Sequence, residues 1–65
     1  MKKKKFARAV NLERENRRMT QKELGKRVKT SQPNISFIES GKSPGAPLFL
    51  RICKFLGLNP TKFWL

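Results

Sequence analysis

The stretch from Thr20 to Gly41, TQKELGKRVKTSQPNISFIESG, constrains this chain more than any other. Thr20 is a good helix N-cap, and Glu23 three residues on completes a capping box. A short helix therefore starts at Gln21, with Leu24 and Val28 on its buried face. Lys29 and Thr30 break the period. Ser31 is a second N-cap, and Pro33 suits the first turn of the next helix, where a missing N–H costs nothing. Ile35 and Ile38 form the apolar stripe of that helix, and Gly41 is its left-handed stop. Two short helices joined by a tight turn are the expected centre of the fold.

The flanking sequence reads as helix too. Phe6 and Val10 sit four apart, which predicts a first helix from about Lys4 to Arg18 facing inward through those two, with Leu12 exposed. Pro47 opens a fourth helix whose Leu48, Phe49, Ile52, Cys53, Phe55 and Leu56 give a broad apolar face, ended by Gly57. Asn59 and Pro60 read as N-cap and first position of a last short helix carrying Phe63, Trp64 and Leu65. No strand pattern, repeat or inter-domain linker interrupts the series. An all-α domain of five short helices around one core is expected, preceded at residues 1–5 by a mobile basic tail.

Composition bounds the chemistry. In 65 residues, 16 Lys and Arg stand against four Glu and no Asp, for a formal charge of +12. Twelve of the basic residues fall between Lys2 and Lys29, so the field is lopsided and attracts a polyanion. The one cysteine, Cys53, cannot close an internal disulfide, and with no His there is no expected metal site and no cofactor. No run of about 20 apolar residues marks a membrane span, and the basic N-terminus lacks the apolar core of a signal peptide. A soluble cytoplasmic protein is expected, with no membrane partner and no small-molecule ligand.

The helix from Gln32 divides by angle. At about 100° per residue, Ile35 and Ile38 centre near ~270°, while Gln32, Ser36, Pro33 and Phe37 share an arc centred near ~70°. If the isoleucines hold the helix to the core, those four face solvent. Gln can pair bidentately with adenine N6 and N7, Ser can bond either kind of base edge, and apolar groups can meet a thymine methyl. Pro33 and Phe37 have only that last contact open to them. Phe37 could instead be core or touch a partner; its place opposite Ile35 favours an exposed role.

These residues resemble the helix-turn-helix of the phage repressor and Cro family. The family form is Thr-Gln, three residues on Leu-Ala, a Gly turn, Ser-Gln, Ile and Glu-x-Gly. Thr20, Gln21, Leu24, Ser31, Gln32, Ile35, Ile38, Glu39 and Gly41 match it in register, and Leu56-Gly57-Leu58 with Phe63 resembles the family's downstream pattern. The resemblance covers about residues 6 to 65 and implies a lambda-repressor-like domain with the motif at helices 2 and 3. It implies that Gln32, Pro33, Ser36 and Phe37 face bases. Gln21 touches a phosphate and braces Gln32, and Ser40, Lys42 and Ser43 grip the backbone. Ser31 and Lys29 are further backbone candidates. Arg14 pairs with Glu39 in a structural role.

Two departures stand out. The family's turn glycine is Lys29 here, which predicts either a strained left-handed lysine or a different end to helix 2. Gly25 replaces the usual Ala, which costs helix propensity but permits close approach to helix 3.

The function expected is sequence-specific binding of a duplex DNA operator by a weak or DNA-induced homodimer, as in a Cro-like regulator. An antitoxin or a restriction-modification controller uses the same surface. Pro44, Ala46, Leu48, Trp64 and Leu65 are the candidate dimer contacts. A basic RNA- or membrane-binding module is the rival, but aromatic platforms and glycine-rich clamps for RNA are lacking. Helix 1 has only Leu12 as a large apolar residue off its core face, too little for a membrane helix. An enzyme would need acid-base or metal groups that this composition does not supply.

Overall fold

The protein is described here from a computed structural model, which covers residues 1–64. Five helices follow in order: α1 (Lys3–Asn16), α2 (Gln21–Arg27), α3 (Gln32–Glu39), α4 (Ala46–Leu56) and α5 (Thr61–Trp64). Helix α1 packs on α3, α4 and α5, while α2 packs mainly on α3. Inside lie Val10, Leu24, Val28, Ile35, Ile38, Ile52, Cys53 and Leu56, together with three rings. The Phe6 ring lies 4.9 Å from that of Phe49 and 5.3 Å from that of Phe63, centre to centre, which ties α1 to α4 and α5. Leu12 is exposed, as its angle requires. Cys53 is a buried core group, and burial pushes its thiol up from its ordinary pKa.

Helix starts follow the local chemistry. Thr20 Oγ1 accepts from the Glu23 N–H at 3.0 Å and Glu23 accepts from the Thr20 N–H at 2.8 Å, completing the capping box. Ser31 Oγ accepts from the Asn34 N–H at 3.3 Å, with Pro33 in the first turn of α3. Helix α4 begins one residue before Pro47, capped by Gly45. Asn59 does cap the last helix, accepting from the Thr61 N–H at 3.0 Å. The helix itself begins at Thr61, one residue beyond the expected Pro60.

The first four helices end alike. A backbone N–H reaches five residues back in each: Met19 to Arg14, Thr30 to Gly25, Lys42 to Phe37 and Leu58 to Cys53, at 2.7–3.1 Å. This is the Schellman arrangement, which needs a left-handed residue just before the donor. Gly41 and Gly57 supply it at φ 106° and 70°, but Arg18 and Lys29 supply it at φ 55° and 61° without being glycine. The strained reading of Lys29 is therefore the one that holds. Arg18 is a second such residue, and it stops α1 at Asn16, short of the expected Arg18.

The basic tail is also not as expected. Lys3 to Lys5 form the first turn of α1, and the Lys2 N–H donates to the Phe63 carbonyl at 2.7 Å. Met1 packs partly against the core. The four lysines remain exposed, but on a fixed scaffold rather than a loose strand.

Candidate nucleic-acid interface

Helix α3 is held by its isoleucines. Ile35 and Ile38 are buried, and Gln32, Pro33, Ser36 and Phe37 are all exposed, Phe37 to 58%. Among the described residues the Gln32 and Ser36 side chains make no intramolecular hydrogen bond, so their donors and acceptors face solvent. Asn34, between the two arcs, turns inward and donates to Thr30 Oγ1 at 2.8 Å, bracing the turn.

Beneath this surface sits one carboxylate. Glu39 accepts from Arg14 twice, at 2.7 and 3.0 Å, from Asn11 at 2.9 Å and from Gln21 at 3.3 Å. Arg14 also donates to the Met19 carbonyl at 2.8 Å, clamping the turn after α1. The Arg14 and Glu39 side chains are 12% and 6% exposed. Burial alone would raise the Glu39 pKa, but the bonds from Arg14, Asn11 and Gln21 and the Arg14 charge outweigh it and hold the carboxyl below its ordinary value. Arg14 is raised in turn, chiefly by its bond to Glu39. No buried side-chain polar atom among the described residues lacks a partner.

The other expected contacts divide. Lys42 is exposed at the turn after α3, and Ser43 beside it directs its hydroxyl to Met1 Sδ at 3.2 Å. Ser40 is exposed, but its hydroxyl donates to the Phe37 carbonyl at 2.7 Å, so its proton is already used. Ser31 keeps its hydroxyl proton free while its oxygen caps α3. Lys29 shares a cleft with Arg27, Arg51, Lys54 and Phe55, and with no residue of α3. Gln21 is half-buried on Glu39 instead of standing free. Lys4, from the basic run expected to meet phosphates, and Arg8, which no motif marks, line a recess with Ser40 and Gly41 at the end of α3. Their i, i+4 spacing on α1 was the available signal.

A family model described as helix-turn-helix matches residues 10–63, nearly the whole chain. The chain belongs to the helix-turn-helix family of the phage repressor and Cro type. Membership carries DNA binding with it, and the packing of α2 on α3 is that of the motif. No curated protein matches the chain. No helix among the described residues is long and apolar enough to cross a membrane, and no cluster of potential metal ligands occurs among them.

Away from α3, one end of the molecule carries an apolar surface. Ala46, Leu50 and Trp64 are exposed about a groove floored by Phe49 and Pro60. The Trp64 ring lies 5.5 Å from that of Phe49 and is 52% exposed. Of the expected dimer contacts, Pro44 and Leu48 are buried in the protomer's own fold and present little surface. Ala46 and Trp64 are accessible, and Leu50, at 54% exposure, joins them. Leu65 lies outside the described residues.

Proposed function

We propose that this protein is a sequence-specific transcriptional regulator that binds a pseudopalindromic operator as a dimer, with α3 in the major groove. The observation that carries the reading is the division of α3, whose isoleucines are buried while Gln32, Pro33, Ser36 and Phe37 stand exposed. Gln32 offers the bidentate pair that fits adenine, Ser36 a donor and acceptor, and Pro33 and Phe37 apolar contact for thymine methyls. Ser31 and Lys42 follow the phosphates around the motif, Ser43 joins them by turning its hydroxyl from the weak Met1 Sδ acceptor, and Lys4 and Arg8 extend that track along α1. Gln21 reaches a phosphate through its second Nε2–H, the first being donated to Glu39.

Size supports a dimer. The longest extent of the protomer is 28 Å, whereas successive major-groove faces on one side of a duplex lie about 34 Å apart. One copy covers one half-site. The Ala46, Leu50 and Trp64 face is the accessible apolar surface for a weak contact strengthened on DNA.

Selection of bound sites from random duplex DNA tests the reading. Two half-sites centred about one helical turn apart are expected, with A·T pairs under Gln32 and Phe37. Gln32→Ala should relax the adenine preference by about 1–3 kcal/mol. A preference indifferent to that substitution would sink the assignment.

A further inference from the structure

Outside the α3 face, seven basic residues gather where the ends of α1 and α2 meet α4. Two open clefts share Phe55 as floor and Arg27 as rim. One continues to Lys29, Arg51 and Lys54, the other to Arg17, Arg18, Met19 and Lys26. No residue of α3 lines either cleft. The acid that does, Glu23, is turned onto the Thr20 N–H in the capping box.

Two of the guanidinium groups are fixed by the backbone. Arg51 Nε donates to the Val28 carbonyl at 2.9 Å, and Arg17 donates to the Leu56 carbonyl at 3.2 Å as well as to the Glu13 carboxylate at 2.6 Å. Each keeps further N–H donors free in set directions, the arrangement that suits planar oxyanions. Arg18, Lys26 and Lys54 make no ion pair among the described residues. Phe55 is partly buried, and the Arg27 guanidinium lies 5.8 Å from its ring centre.

We propose that this cleft docks an acidic polypeptide segment bearing one apolar side chain. Its carboxylates meet Arg27 and Arg51, and its apolar group seats on Phe55 beside Met19. Charge complementarity selects an acidic partner, and the apolar floor selects among acidic partners. A phosphodiester backbone has no use for that floor. The surface is separate from the reading face of α3 and does not depend on it.

The probe is a labelled peptide of Asp and Glu with one central Leu, titrated against the whole chain by anisotropy and by backbone amide shifts. The peptide should shift amides around Arg27, Arg51 and Phe55, and a duplex should shift those of α3. The charge reversal Arg27→Glu with Lys54→Glu, both exposed positions, should weaken the peptide about tenfold or more while the fold persists. Equal binding of a peptide lacking the Leu would overturn the proposal, as would affinity indifferent to the reversal. Shifts confined to α3, or a duplex or oligothymidylate that shifts the cleft amides in place of the peptide, would also overturn it.

Discussion

Lys29 and Gly25 exchange the roles that a helix-turn-helix usually gives its turn glycine and its small helical residue. Lys29 holds the left-handed turn at φ 61°, and Gly25 lies buried under it. The two departures are linked. The Thr30 N–H donates to the Gly25 carbonyl at 2.7 Å, and a Cβ on Gly25 would stand 2.9 Å from the Thr30 carbonyl oxygen. Backbone cannot give way as a side chain can, so the crowding of Gly25→Ala outweighs its helix-propensity gain of about 1 kcal/mol. A lowered thermal midpoint is expected for that variant. Lys29→Gly and Arg18→Gly should each raise stability by about 1 kcal/mol, or ~4–8 °C in a domain of this size. Unchanged or lower midpoints in calorimetry would mean that the side chains, not the φ angles, govern these turns. Lys29 was legible in the sequence because the motif's register marks that position. Arg18 was not, since no residue type signals it; the turn is clamped by a side-chain bond across it, from Arg14 to the Met19 carbonyl.

At the scale of elements, Glu39 joins α1, α2 and α3. The resemblance supplied the Arg14 partner. Asn11 follows from the same face of α1 three residues earlier, a spacing that is ambiguous until the facing helix is placed. The resemblance gives Gln21 a phosphate contact and a brace on Gln32, and the angle at which α2 meets α3 also brings its amide to Glu39. Removing either member of the Arg14–Glu39 pair leaves a buried charge unanswered, at a cost of about 3 kcal/mol or more. Total stability for a chain this short is roughly 3–10 kcal/mol, so Arg14→Ala should come close to unfolding it, measured by urea denaturation. The pair also sets a pH dependence. Because Glu39 titrates below its ordinary value of 4.5 when folded, its contribution is complete above that value and is lost as pH falls through the folded pKa. Stability should drop as pH falls below about 4.5, and Glu39→Gln should flatten that limb from a lower starting point. Glu23 is lowered too, first by its bond to the Thr20 backbone, so a small residual slope belongs to the capping box. An acid limb of full height in Glu39→Gln would place the linkage elsewhere.

Across the whole molecule, charge is deployed against the fold. The first turn of α1 holds no acid and three lysines, with Lys2 just before it, at the helix end where the dipole favours negative groups. With a net charge of +12, the compact state also repels itself. Residue counts made that imbalance plain in the sequence. Its position on a helix was not plain, because a run of lysines reads as solvated tail until Lys2 is seen bonded to the Phe63 carbonyl. Salt therefore acts on folding and binding in opposite directions. Screening exposed repulsion should raise the thermal midpoint as salt goes from about 0.05 to 0.5 M, while the Arg14–Glu39 pair, mostly buried, loses little. Operator affinity should fall over the same range. If about ten phosphates are neutralised per dimer, log K falls against log salt with a slope near −9. The variant Lys3→Glu with Lys4→Glu should shrink both responses, folding more stably at low salt and binding DNA with a shallower slope. A wild-type slope weaker than about −3 would deny the phosphate role to these charges. A midpoint that falls with salt would mean that exposed attraction, not repulsion, dominates the surface.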